Sequence, residues 1–152
     1  MNYVGWLFVL AAYIAVIGIY ISFRQMLNVV SSKIQNGEQV DQSGFQKEMG
    51  HFFLRVALIE TIPIIFIVAG FIQMESVASG SGIYDIILQL GLVLIILFFG
   101  IINLFRLRGQ IISLPGIDQM SRSFVNTLVF IGLGLITAIP IISIVALSLL
   151  TA

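Results

Sequence analysis

Cysteine is absent from the sequence and histidine occurs once, as His51. The first absence excludes disulfides, thiolate metal sites and thiol nucleophiles together. The second leaves no imidazole cluster for a metal. Charge is scarce as well: 9% of residues are Asp, Glu, Lys or Arg, against about 25% in ordinary soluble domains. Seven basic and seven acidic residues cancel to a formal net charge of zero, so there is no polyelectrolyte field to attract nucleic acid and no polybasic patch. No paired acids or convergent Ser/Lys set stands at one membrane face, so a membrane enzyme finds no support. No metal and no cofactor are expected.

What the chain has instead is apolar residues, 59% of 152 with a mean hydropathy of +1.13. They come in runs close to the roughly 20 residues that cross a hydrocarbon core. Tyr3 to Phe23 is uncharged and stops at Arg24; Phe52 to Met74 is interrupted by Arg55 and Glu60; Ile83 to Phe105 stops at Arg106; Ser123 to Leu150 is the last. Without a basic n-region or an Ala-x-Ala-like site, the first run reads as a retained helix and not a cleaved signal. Between the runs lie Asn36 to Gly44, Met74 to Gly82, and a turn at Leu114-Pro115-Gly116, all rich in turn-forming residues. The flanks of the first connection keep helical apolar spacing, so both helices beside it can extend beyond the bilayer. The expected fold is an all-α membrane protein of four transmembrane helices, arranged as two parallel helical hairpins with a boundary after Glu75 (1–75 and 76–152).

Lys and Arg set the orientation of such a protein. Arg24, Lys33, Lys47 and Arg55 lie in or beside the first connection, and Arg106, Arg108 and Arg122 in or beside the third. The middle turn and both tails hold none. Both long connections are therefore expected in the cytoplasm and both termini outside, in a bacterial cytoplasmic membrane.

Shifting the chain by 77 positions lays Phe53–Ile72 on Phe130–Leu149 with ten of 20 positions identical, Pro63 falling on Pro140. Isoleucine is abundant enough for some matches to arise from shared membrane composition, but the aligned prolines and gap-free register point to duplication of a hairpin in parallel orientation. Helices one and three show no comparable identity in this reading, and their equivalence is expected from topology alone.

Glu60 is the carboxylate buried deepest in a run. It lies about eight residues, or roughly 12 Å at 1.5 Å per residue, into its span, where an ionised side chain costs at least ~3 kcal/mol. Protonation is the simplest escape from that cost, which makes Glu60 a candidate proton carrier; a structural polar contact between helices is the alternative. Pro63 cannot donate to the carbonyl of Ile59 and so leaves an acceptor beside the carboxyl. Thr61 is a further candidate partner. Arg55 is five residues away, about 140° round the helix, and is expected to snorkel to the interface instead of pairing. His51, Glu75 and Asp85 read as interfacial or solvated, and Gln89 as too far toward the outside to meet Glu60.

The stretch FFLRVALIETIPIIFIVAGF (Phe52 to Phe71) resembles the outer helix of the proteolipid, or c, subunit of rotary ATP synthases. There a carboxylate is followed by a small residue, an apolar one and proline, then an Ile/Val-rich run. Glu60-Thr61-Ile62-Pro63 matches that motif, and the resemblance implies that Glu60 is the proton-binding residue, with Thr61 and Pro63 supporting it. The second copy, VFIGLGLITAIPIISIVAL (Val129 to Leu147), keeps Pro140 but has Thr137 in place of the acid, a degenerate second site that resembles the fused four-helix proteolipids of vacuolar-type ATPases. The first helix carries Gly5 and Gly18, and the third Gly91 and Gly100, where the family has a dense glycine series. The resemblance implies proton translocation alongside other membrane subunits or further copies of the chain. A non-enzymatic tetraspan accessory or assembly protein with no transport role is the alternative expectation.

The charge distribution generates a direct test. A cysteine introduced at Ser79 is expected to react with an impermeant thiol reagent on intact cells, and one at Ser43 only after permeabilisation; equal labelling of the two would remove the four-span topology.

Overall fold

A computed structural model describes residues 3–38, 42–74 and 83–150. It is all-α, with α1 (Tyr3–Gln35), α2 (Gln42–Met74), α3 (Ile83–Ile112) and α4 (Gln119–Leu149). All four are long and apolar enough to cross a membrane. The shortest has 30 residues, about 45 Å at 1.5 Å per residue against a hydrocarbon core of about 30 Å. The helices beside the first connection therefore project past the apolar layer, as their sequence periodicity suggests. Glu75 and the proposed hairpin boundary lie outside the described residues.

The chain chemistry explains where helices stop. After α1, Gly37 takes φ +69°, and the N–H groups of Gly37 and Glu38 donate to the carbonyls of Ile34 and Lys33, both at 3.1 Å; this is the left-handed C-terminal cap that glycine permits. After α3 the chain turns at Leu114-Pro115-Gly116, where Gly116 has φ +83° and the Ile117 N–H meets the Leu114 carbonyl at 3.5 Å. Proline followed by a positive-φ glycine is the signature of a type II turn. Asp118 then caps α4, accepting from the Ser121 N–H at 3.1 Å. Hydrogen bonding from Ser121, through its hydroxyl and its backbone, holds the Asp118 carboxyl below the usual carboxylate range.

Around α1 the other three helices gather. Phe8 meets Phe71 and Phe23 meets Phe52 edge to face, so α2 runs antiparallel to α1. Ser143 donates to the Phe8 carbonyl at 3.0 Å in a fully buried bond, while Gly132 lies against Phe23; α4 is therefore antiparallel to α1 too. Gln89 packs on Gly5 and Gly100 on Val16, which makes α3 parallel to α1. Of the pairs left, α3 packs on α4, α2 meets α4 only lightly, and α2 and α3 do not meet among the described residues. Half of the most apolar stretch of α1 is buried, against 22% for α2 and α3. Its buried stripe includes Ala11, Ala12, Ala15, Gly5 and Ser22, and such small side chains let helix backbones approach closely in lipid.

Each hairpin contains the same close contact. Ile59 of α2 sets its Cγ2 over Gly18 of α1, and Ile136 of α4, its counterpart at the 77-residue shift, sets its Cγ2 over Gly100 of α3. A Cβ built on Gly100 would lie 2.9 Å from that methyl and 2.6 Å from Val16 Cγ1. Pairing Gly18 with Gly100 fixes a register for helices one and three that the sequence comparison lacked. At that shift of 82, Gly18-Ile19 and Phe23-Arg24 coincide with Gly100-Ile101 and Phe105-Arg106. These few coincidences fall short of the identity between α2 and α4, and they sit at a different shift because the first connection is longer.

These glycines are expected to be intolerant of side chains. Gly18→Val and Gly100→Val should each destabilise the bundle by about 1–3 kcal/mol through overpacking, seen as a lower melting temperature in detergent. Gly91→Ala, with nothing within 4 Å of the added Cβ, should be neutral or slightly stabilising.

Candidate functional site

The intramembrane carboxylate is placed by the packing of α2 on α1. Along α2 the buried stripe runs through Phe52, Val56, Pro63, Ile67 and Gly70, at the three- and four-residue steps that keep side chains on one helix face. Glu60, four residues after Val56 and three before Pro63, falls on the edge of that stripe and is part-buried. Met49 precedes it by eleven residues, three helical turns, and Met49 lines a cleft of about 380 Å³ with Phe45, Met120, Phe124 and Thr127. Glu60 therefore stands on the side of α2 turned toward α4. α2 and α4 meet only lightly, and Phe45 and Phe124 stack between them, 3.6 Å between ring centres.

Arg55 is the basic side chain nearest to Glu60 along α2. Its Nη1 donates to Gln25 Oε1 of α1 at 2.9 Å, and the side chain is exposed, so the guanidinium is engaged away from Glu60. Five residues of helix separate the two, about 7.5 Å. Glu60 thus lies between one and two helical turns beyond Arg55, away from the basic end of the bundle.

The supporting residues behave unequally. Pro63 is buried in the α1-facing stripe, and its missing N–H leaves the Ile59 carbonyl without its helical donor. Thr61 is exposed and turns its hydroxyl to its own helix, donating to the Ala57 carbonyl at 2.9 Å. Glu60 has no hydrogen-bond or ion-pair partner among the described residues. In α4, Thr137 donates to the carbonyls of Leu133 and Gly134 at 2.9 and 3.1 Å, and Pro140 is buried. Thr137 and Glu60 are separate positions on separate helices, and nothing brings them into one site.

His51 is exposed and Asp85 part-buried at the start of α3. Gln89 is fully buried against Gly5, far from Glu60 because Gly5 lies at the opposite end of α1 from Gln25. Among the described residues no three His, Asp or Glu side chains come together as metal ligands would. Two polar features escaped the sequence reading: the buried Ser143 to Phe8 bond, and the convergence of Arg24 and Arg106 on one cleft. Only the four-, three- and four-residue spacing of polar and aromatic side chains on α1 and α3 could have signalled the second.

No family model, curated protein or solved structure matches this chain. The likeness to the proteolipid subunit accordingly stands on Glu60-Thr61-Ile62-Pro63 and its surroundings.

If the Thr61 hydroxyl is committed to Ala57, Thr61→Val should leave the reactivity of Glu60 toward a hydrophobic carbodiimide within about twofold of the parent. Labelling rates measured by mass spectrometry of the Glu60 peptide check this; a change of tenfold or more would mean that the hydroxyl serves the carboxyl.

Proposed function

We propose that this chain is a duplicated, proteolipid-like subunit of a bacterial cytoplasmic membrane that carries protons on Glu60. The observation that carries the reading is a part-exposed carboxyl inside a membrane-spanning helix with no partner among the described residues. An ionised carboxylate there costs at least about 3 kcal/mol, and the neutral acid avoids it. A partner that brings a cation and water to the part-exposed side of α2 that bears Glu60 would favour the anion and take the proton; leaving that partner, the group would be reprotonated. The partner fitting this cycle is another membrane subunit presenting an arginine at the depth of Glu60, since Arg55 is bound to Gln25 instead.

Two packing features support an assembly. The shared contacts Ile59 on Gly18 and Ile136 on Gly100 favour descent of both hairpins from one ancestor. α4 sits in the groove between α1 and α3, whereas among the described residues α2 has α1 as its one extensive neighbour. The α3 of a second copy beside α2 would repeat the arrangement, and continued repetition would build a ring. With both basic connections in the cytoplasm, Glu60 would exchange protons nearer that side.

A second reading has its own support. The bundle around Glu60 is filled by Ile59, Val56 and Ile67, and the exposed face of α2 is a broad apolar surface including Leu58, Ile62, Ile65 and Ile72. That surface suits a tetraspan assembly protein in which Glu60 bonds to a partner helix.

One variant separates the two. Glu60→Gln keeps shape and hydrogen bonding but cannot exchange a proton. Carbodiimide should label Glu60 in the parent and nothing at that position in the variant, and proton flux in reconstituted vesicles should fall to background while assembly persists. A Gln variant that assembles and functions like the parent would establish the structural role instead.

A further inference from the structure

At the basic end of the bundle, α1 and α3 run side by side with α4 filling one of the grooves between them. The opposite groove is open there, forming a cleft of about 250 Å³ lined by Tyr20 and Arg24 of α1 and by Asn103, Arg106, Leu107 and Gln110 of α3. Five of these six side chains are polar, two are cations, and none is acidic. Arg55, Arg108 and Lys33 all have partners inside the chain, respectively Gln25, Asn126 and Glu48. Arg24 and Arg106 have none among the described residues. Two unpaired guanidinium groups facing one cleft repel each other, and the repulsion grows as the surroundings become less polar. An anion held between them reverses its sign.

We propose that this cleft binds a phosphate group, supplied either by the headgroup of an acidic phospholipid or by a soluble phosphate ester. Guanidinium is the side chain whose planar donors match phosphate oxygens two at a time, and the cleft offers one from each wall. The Tyr20 hydroxyl and the Gln110 amide are further donors, while Asn103 uses one amide N–H on the Phe99 carbonyl at 2.8 Å and keeps the other. The height is that of a headgroup, for Arg24 and Arg106 each end an apolar run. Below them the stripes continue at helical spacing as Tyr13 and Ile17 on α1 and Phe99 on α3, and Tyr13 and Phe99 are about half exposed (52% and 50%). An acyl chain can lie along that surface, and basic pockets between membrane helices favour such lipids. The zero net charge of the chain conceals the site because its compensating acids lie elsewhere.

The two sources are separated by giving the purified protein each phosphate alone. In nanodiscs of phosphatidylcholine, added phosphatidylglycerol should be retained by the parent in native mass spectrometry. Its affinity should fall about fivefold in Arg24→Gln or Arg106→Gln and about 25-fold in the double variant, from the ~1 kcal/mol that each basic residue contributes at an anionic surface. Arg122→Gln, at the same end but outside the cleft, should bind like the parent, and circular dichroism should show all variants equally helical. Inorganic phosphate titrated into the detergent-solubilised protein is the second arm: saturable binding abolished in the double variant assigns a soluble ester, and retention of phosphatidylglycerol alone assigns the lipid. The site is disproved if the double variant binds both probes like the parent, if Arg122→Gln weakens binding as much, if phosphatidylcholine competes equally, or if neither probe binds.

Discussion

Two apolar helices gain nothing from the hydrophobic effect by meeting in lipid, since the lipid tails they leave are as apolar as they are. The bundle depends on something else, the closeness with which α1 can be approached. Ala11, Ala12 and Ala15 are fully buried, and Gly5 and Gly18 are covered by Gln89 and Ile59. Small side chains on several sides of one helix bring three neighbours within dispersion range, and many weak contacts accumulate where no single strong one exists. The buried bond from Ser143 to the Phe8 carbonyl adds direction to this packing, because it fixes the height of α4 on α1.

From the centrality of α1 follows the position of the candidate site. With α3 and α4 occupying its other sides, α2 is left at the periphery, and the carboxyl it carries stands at the edge of the bundle instead of at its heart. A carboxyl sealed among four helices would need a partner within the chain, whereas one at the edge is open to a partner from outside. The same arrangement sets α1 beside α3 and brings together two arginines that the sequence separates by 82 positions. One packing decision therefore produces both polar features of the surface, the acid on α2 and the basic cleft between α1 and α3.

Much of the fold was legible from the chain. Four apolar runs, the turn at Leu114-Pro115-Gly116 and the absence of charge within Tyr3 to Phe23 define the helices through backbone satisfaction in lipid, which leaves few spanning structures available. The likeness of α2 to α4 was legible because their prolines align without gaps. A register of α1 on α3 was not, since the first hairpin is five residues longer between the contacting positions and it is the contacts Ile59 on Gly18 and Ile136 on Gly100 that suggest it. Which helix is central was also hidden: hydropathy measures affinity for an apolar medium and does not tell lipid from protein. The identity of Glu60 as a candidate was plain from its place in the apolar run, but that Arg55 is engaged by Gln25 required the packing of α2 on α1 to be seen.

Comparison of the two hairpins sharpens what remains to be explained about Glu60. Thr137, its counterpart in α4, satisfies its own hydroxyl with the carbonyls of Leu133 and Gly134, and Thr61 does the same with Ala57. A threonine in a membrane helix can be at rest within a single helix, so neither residue demands anything of its surroundings. A carboxylate differs, because in its charged form it accepts hydrogen bonds and offers none, and every backbone N–H near it in a regular helix is already engaged. Replacing Glu60 by a self-satisfied threonine would cost this fold nothing that its described contacts reveal, and the other hairpin has that residue. The described contacts give the stability of the chain no claim on the acid, and it is this that the proposed exchange with an outside partner would account for.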